Sequence, residues 1–323
     1  MQPVSIVATV LNEAQDIGRM VASLLAQVPP PAEVIVVDGG STDGTWELLA
    51  AAQQRDPRMV AIRDESCNRK YSECPISRGR NVAIAAARSE IIACADAGCT
   101  YAPGWLANLT APLTSGTAQY ALGGTCLHPA DRSIWDVAAA PFFSIKLAPA
   151  EPTKSCTARS MAFTKRLWQH IGGFPEDVAF GEDTLFDLAA RRLTLPAFPV
   201  NAKAFYHPKN TFRSACHKMA FYALSDGRNR VRHTRLIRNA ARCVLEIAAL
   251  ALVPWTRLPL AGVFLIECWH AYRRDWRYLP RFGPRAIAAR FVFSVGVPWV
   301  VAVSQIRGLI GTKALTNRQN LSA

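Results

Sequence analysis

Acidic residues almost vanish from the last third of this 323-residue chain. Residues 201–323 carry 20 Lys/Arg and 4 Asp/Glu, whereas residues 1–200 carry 17 and 20. That contrast excludes one uniform soluble domain and divides the chain near His207. CxxC pairs and Cys/His metal spacings are missing, and the nine cysteines are odd in number. A zinc framework and a disulfide framework are therefore not expected, and reduced thiols in the cytosol are. A basic-then-apolar leader is not visible, because the first apolar run has only the length of a strand. Long apolar runs are few. Ile247–Ile266 contains Arg257 and two prolines, and Phe291–Ile306 is 16 residues long with Pro298 inside it. A spanning helix needs roughly 20 apolar residues, so neither run is a clean span. Repeats and low-complexity tracts are lacking, and a chain that is half hydrophobic is not disordered.

What is present is a series of apolar strands ending in polar turns. Ser5–Leu11 runs into Asn12-Glu13, and Glu33–Val37 runs into Asp38-Gly39-Gly40-Ser41-Thr42-Asp43-Gly44. Glu90–Ala95 runs into Asp96-Ala97-Gly98. Continuous apolar runs separated by helical patterns predict a parallel sheet covered on both faces. Ligands bind such sheets outside the carboxyl ends of the strands, so Asn12, Asp38 and Asp96 are expected at one rim. Helices are predicted over Ala14–Val28, Thr45–Gln54, Asn81–Ala87, Pro103–Pro112 and Lys165–Ile171. Residues 64–79 read as a loop, and Ala121–Thr157 as irregular. After Gly172-Gly173-Phe174, the Ala179-Phe180-Gly181-Glu182-Asp183-Thr184 stretch places two adjacent carboxylates at the start of an amphipathic helix, Leu185–Arg192.

In this order, Val4–Glu13, Val37–Thr45, Gly79-Arg80-Asn81, Asp96-Ala97-Gly98, Gly172-Gly173-Phe174 and Gly181-Glu182-Asp183 make the first two-thirds of the chain resemble family 2 glycosyltransferases. The resemblance implies a GT-A fold: a Rossmann-like α/β domain with a mostly parallel sheet and helices on both faces, here over residues 1–210. It implies a nucleotide-diphosphate sugar as donor and an inverting transfer. Thr9, Asn12, Glu13 and Asp38 would line the base and ribose pocket, with Asp38 alternatively an Asx-turn residue. Asp43 reads as a turn or cap residue.

Asp96 matches the first acid of the family's Asp-X-Asp motif, which holds Mg²⁺ or Mn²⁺ on the diphosphate. Gly98 stands where the second acid belongs, which weakens that expectation. His207 is a candidate further ligand, with an ordinary buried histidine as the competing reading. Arg78 and Arg80 are candidate cations for the diphosphate. Asp183 is the candidate general base, with helix capping as the alternative, and Glu182 would raise its proton affinity by like-charge repulsion. Asp187 reads as solvated.

Residues 211–323 form a basic, helical, membrane-associated region. Arg213, His217, Lys218 and Arg228 are candidate contacts for a lipid-linked acceptor, or simply a solvated face. Four tryptophans beside arginines and aliphatic runs mark an interfacial region, and no nucleic-acid module is visible. If both apolar runs crossed, Arg273, Arg274, Arg277, Arg281, Arg285 and Arg290 would face outward, while Arg307, Lys313 and Arg318 want the cytoplasmic side. Re-entrant or interfacial helices on the cytoplasmic face of the inner membrane are therefore expected, with two spans as the alternative. A non-catalytic nucleotide-sugar binder, a processive synthase subunit and a nucleotidyltransferase compete with the transferase reading.

Overall fold

The computed structural model describes residues 2–128, 132–147, 157–178, 180–256, 258–272 and 278–311. Expectations placed on Ala179, Arg257, Arg273, Arg274, Trp276, Arg277, Lys313 and Arg318 lie outside these residues. The chain divides into two compact units: residues 1–128 with 148–207, and residues 129–147 with 208–323.

In the first unit the apolar runs become parallel strands β1 (Val4–Val10), β2 (Glu33–Asp38), β3 (Met59–Arg63) and β4 (Ile91–Cys94), in the spatial order β3-β2-β1-β4. Further strands are β5 (Cys99–Tyr101), β6 (Tyr120–Leu122), β7 (Gly124–Leu127), β8 (Met161–Thr164) and β9 (Lys203–Tyr206). Antiparallel β8 and β6 extend the main sheet beyond β4, and β5-β9-β7 forms a second, smaller sheet. Strand order reverses between β1 and β4, the place where such sheets open a crevice for a ligand.

Alternate residues of each run enter opposite cores. Ile6, Val34 and Val36 join one apolar cluster, and Val7, Ile35 and Val37 join the other. That is why the strands read as unbroken hydrophobic segments. Helix α1 (Ile17–Leu25) buries Ile17, Met20, Val21 and Leu24, one stripe at helical spacing. Helices α2 (Thr45–Arg55), α3 (Pro75–Ala86) and α4 (Trp105–Thr114) complete the layers before the short β6 and β7.

Two expectations need correction. Residues 64–79 are not all loop: Glu65–Cys67 is a 3₁₀ turn, and α3 begins at Pro75, six residues before the predicted start. Proline is well suited to a first helical turn, but the buried face of α3 includes Ser77, Gly79 and Arg80, which hides its hydrophobic period. The expected irregular stretch after Ala121 contains β7 and α5 (Ile134–Ala139), elements too short to show a period. Helices α6 (Lys165–Ile171) and α7 (Glu182–Leu193) close the first unit's helical set.

The second unit contains α5, α8 (Phe212–Arg228), α9 (His233–Ala251), α10 (Leu258–Tyr272) and α11 (Pro284–Ile310). Its core gathers Met219, Ala223, Phe293, Val297 and Val301. α8 and α11 meet through Gly227 and Gly308. A Cβ on Gly227 would lie 2.1 Å from the Gln305 carbonyl oxygen, and one on Gly308 2.2 Å from that of Leu224. The Ile247–Ile266 run is not one segment, because the chain leaves α9 and turns at Val253-Pro254-Trp255 before α10. Among the described residues α11 is the one helix long and apolar enough to cross a membrane, and half of its apolar window is buried.

Candidate active site

The rim of the main sheet is assembled by side chains that bond across neighbouring turns. Asn12 sits just past β1 with a left-handed φ of 56°. Its N–H donates to Ser41 Oγ at 2.8 Å, and its Oδ1 accepts the Thr42 N–H at 3.0 Å. The Glu13 N–H donates to Thr45 Oγ1 at 2.8 Å. Asp43 accepts the Ala14 N–H at 3.0 Å and the Thr45 hydroxyl at 2.6 Å; the Thr45 bond foremost holds its carboxyl below the usual range. Asp38 is fully buried. Both its oxygens face the Ser41 N–H, and it also accepts the Ser41 hydroxyl. The Asx-turn role of Asp38 is thus present in the structure, and a donor contact would share that carboxylate.

Gly79-Arg80-Asn81 has a separate physical reason for each residue. A Cβ on Gly79 would come within 2.1 Å of Thr9 Oγ1, so glycine lets α3 lie against β1 at the site. Asn81 pins the Gly172-Gly173-Phe174 turn: its Nδ2 donates to the Phe174 carbonyl at 2.8 Å, and its Oδ1 accepts the Phe174 N–H at 2.9 Å. Arg80 is buried, with one Nη 2.7 Å from Asp96 Oδ1 and the other 2.7 Å from Glu182 Oε1. Its guanidinium also lies 5.5 Å from the centre of the Phe174 ring. Burial works against the charge of Arg80, but Asp96 and Glu182 overcome it and push its pKa well above the ordinary arginine value.

Arg80 therefore pairs with two carboxylates. Glu182 is 7% exposed and held by Arg80. Gly181, with φ 81°, precedes α7 and no side chain caps it. Asp183 lies in the first turn, half-buried, and its Oδ1 accepts the adjacent Thr184 N–H at 2.6 Å. The positive end of α7 favours both acids there. Asp187 is not solvated: it is buried, bonded by the Tyr120 hydroxyl at 3.0 Å and paired with Arg191 at 2.8 Å. Nothing in its helical position announced the tyrosine, which lies on a strand 67 residues away.

Asp96 follows β4, and the Tyr101 hydroxyl accepts its backbone N–H at 2.9 Å. Its side chain is 28% exposed, and its second carboxylate oxygen takes no hydrogen bond among the described residues. His207 reaches the same turn because its N–H donates to the Gly98 carbonyl at 2.8 Å. Its ring stacks on His128 at 4.2 Å, and its Nε2 lies 2.9 Å from Thr100 Oγ1. Among the described residues no cluster of three or more His, Cys, Asp or Glu could hold an ion by itself. The accessible carboxylate of Asp96 suits a cation whose other ligands are phosphate and water oxygens, while the His207 ring is buried against His128 and Thr100.

Cys94 and Cys99 are pushed up to about 12 by burial, which leaves them protonated and inert. Arg159 lies 4.5 Å from the centre of the Tyr206 ring, and that ring is the neighbour a Cβ on Gly98 would meet. No motif marked Arg159 in the sequence. Arg78 is more peripheral, on Ser66 Oγ at 2.8 Å and Glu176 at 3.3 Å.

In the second unit, Arg213 and His217 share an exposed face of α8, four residues apart, and Lys218 donates to Asn210 Oδ1 at 3.0 Å. Arg228 closes the same helix about 22 Å along its axis from Arg213 at 1.5 Å per residue. These four do not form one cluster.

The profile of glycosyl transferase family 2 matches residues 5–169. The succinoglycan biosynthesis protein ExoU of Rhizobium meliloti (strain 1021) is 39% identical over 106 residues, 33% of this chain and 29% of that protein. The glycosyltransferase AglE of Haloferax volcanii is 28% identical over 123 residues, 38% of either chain. The matches thus span under two-fifths of these curated relatives. Among solved structures, the mannosyltransferase PcManGT from Pyrobaculum calidifontis, in complex with GDP-Man and Mn²⁺, shares the fold. Its TM-score is 0.63 at 20% identity, covering 91% of this chain and 87% of that one.

Proposed function

Since the chain belongs to glycosyl transferase family 2, we propose that it moves a sugar, with inversion, from a nucleotide-diphosphate donor to a lipid-linked acceptor. Residues 1–210 are the catalytic part in this reading. Residues 211–323 hold the enzyme at the cytoplasmic face of a membrane, where it takes part in building a surface polysaccharide. The observation that carries the transfer is the Arg80 bridge. It draws the acid after β4 and the acid opening α7 into one cluster, with Asp183 next in sequence. The name of ExoU supports a polysaccharide product, and the GDP-Man and Mn²⁺ bound by PcManGT support a nucleotide sugar and a cation in this fold.

Asp183 takes the proton of the acceptor hydroxyl as that oxygen bonds to the anomeric carbon. The bond from that carbon to the diphosphate breaks, and the nucleoside diphosphate leaves with the electron pair. Arg80 keeps Glu182 and Asp96 in register, so Asp183 is positioned by a helix start that cannot drift. Thr9, Asn12, Glu13 and Asp38 surround the base and ribose. A divalent cation, when bound, offsets the charge of the diphosphate, and Asp96 with His207 would hold it. Arg159 adds positive charge at the same turn, and Arg213 with His217 offers a face to the phosphate of the acceptor.

Asp183→Asn tests the assignment. Donor affinity, measured by calorimetry with UDP-, GDP- and dTDP-sugars in Mn²⁺, should persist. Transfer should fall by about 10²- to 10⁴-fold, the usual worth of a general base. Undiminished transfer would remove Asp183 from the mechanism. In the same assay Asp96→Ala should abolish the cation dependence of donor affinity.

A further inference from the structure

Two helices of the second unit, α9 and α10, turn carboxylates inward and apolar side chains outward, and α11 adds polar residues to its inner face. On α9 the residues turned inward are Asn239, Cys243, Glu246 and Ala249. The outward ones from Val244 on are apolar, with Val244, Leu245 and Leu250 between 55% and 63% exposed. On α10, Glu267 is buried while Leu265 and Trp269 are exposed. On α11 the inner face is mostly apolar but also holds Arg290, Ser294 and Gln305, while Val292, Trp299 and Val303 are exposed. Some of these polar groups bond one another inside, although among the described residues Glu246 Oε1 and Gln305 Oε1 are buried without a partner. Arg242 is paired with Glu267 and donates to the Ser294 carbonyl at 3.1 Å, Ser294 Oγ donates to Glu267 at 3.3 Å, and the Trp299 indole donates to Glu246. A helix in water shows the opposite arrangement, and polar residues facing a bundle interior are the rule in hydrocarbon.

Charge identifies what covers this face. Arg228, Arg230, Arg232 and Arg238 are exposed around the corner between α8 and α9. That corner is held in shape: Arg230 and Arg232 have left-handed φ of 52° and 55°, a conformation uncommon for non-glycine residues. Gln305 Nε2 donates to the Val231 carbonyl at 3.1 Å, and Asp226 pairs with Arg235 at 3.1 Å. The same face of a second copy would bring like charges together, whereas an anionic lipid surface complements the exposed arginines of this corner.

We propose that the outer face of α9, α10 and α11 lies in the hydrocarbon of an anionic bilayer, with the Arg228–Arg238 corner at the level of the phosphates. This deepens the membrane part of the function proposed above and rests on it, but not on sugar transfer.

The test is flotation of the full-length protein with phosphatidylcholine vesicles, with and without 30% phosphatidylglycerol. Wild type should float with the anionic vesicles, less so in high salt. Leu245→Asp/Leu250→Asp should lower partitioning at least tenfold while nucleotide-sugar binding stays unchanged, which shows that the first unit is folded. Arg230→Gln/Arg238→Gln should keep the apolar contact but weaken the preference for phosphatidylglycerol about fivefold per arginine. Lipids brominated in the acyl chain should quench Trp255, which is 79% exposed at the α9–α10 turn, and Trp255→Phe should remove the quenched component.

Wild type that stays with the unbound fraction, or that forms discrete dimers through this face without lipid, overturns the proposal. So does an unquenched Trp255. Loss of donor binding with flotation intact would instead sink the sugar-transfer reading.

Discussion

Arg80 in the first unit and Arg242 in the second each hold carboxylates away from water, but their surroundings are reversed. Around Arg80 the apolar side chains lie within the fold, and Asp96 keeps 28% of its side chain open to the rim. Around Arg242 the helices also carry apolar side chains on their outer faces, and Glu267 keeps 4%. One pair of charges is kept near a surface where a ligand can reach it; the other lets three helices turn their greasy sides outward. A buried charge therefore has no single meaning. What surrounds the ion pair decides whether it belongs to a site or to a scaffold.

The largest expected effect separates those two roles. Arg80→Leu should cost about 3–5 kcal/mol, because Glu182 is left as an uncompensated buried charge, and Arg242→Leu should cost as much through Glu267. Replacing both partners should then part them. Arg242→Leu/Glu267→Met should recover stability and vesicle binding. Arg80→Met/Glu182→Leu should recover stability, read by denaturant melts, but not donor binding. Recovery of donor binding in the second double variant would break the comparison.

A middle-sized effect compares two close approaches. Gly79→Ala presses a methyl group on the Thr9 side chain, while Gly227→Ala presses one on the Gln305 backbone carbonyl, each at 2.1 Å. Overpacking costs typically 1–3 kcal/mol. A side chain can turn aside and a backbone carbonyl cannot, so Gly227→Ala should lose more, measured by hydrogen exchange read unit by unit. Equal losses would mean that the two contacts yield alike.

The smallest effect has opposite signs in the two units. Burial raises the Glu33 carboxyl, but the Ser5 hydroxyl at 2.6 Å and the Arg88 N–H and guanidinium hold it below its ordinary value. Its contribution is complete above the unfolded value of about 4.3 and is lost as pH falls through the lower folded one. Burial pushes Asp226 up despite Arg232 and Arg235. Its contribution is complete below about 3.9 and is lost as pH rises through the higher folded value. Glu33→Gln should flatten the acid loss of stability and Asp226→Asn the loss on the alkaline side, in melting temperatures taken from pH 3 to 7. The same slope in both variants would refute one of the two assignments.

Much of the first unit was legible in the chain. Unbroken apolar runs of strand length with Asn12, Asp38 and Asp96 at their ends required a sheet buried on both faces, and that places those residues at one edge. The small second sheet was not legible, because strands such as β5, of three residues, carry no measurable period. Arg80 looked like a free cation because its partners lie 16 and 102 residues away. Asp187 looked solvated because its tyrosine comes from a distant strand. The break at Pro254 was visible as a proline, but whether it bent a helix or ended one depended on what α9 and α10 pack against.

By itself the sequence determined the strands of the parallel core, the polar turns at its rim, the acids that open α7 and the abrupt change to a basic, apolar last third. These are local properties: hydrophobic period, turn chemistry and charge, readable within a few residues. Only the tertiary structure decided that Arg80 joins Asp96 to Glu182, that Asn81 holds the Gly173–Phe174 turn, and that the polar residues of α9, α10 and α11 face one another. Those outcomes depend on contacts between residues far apart in the chain, where the cost of burying a charge is met by a partner that no local pattern announces.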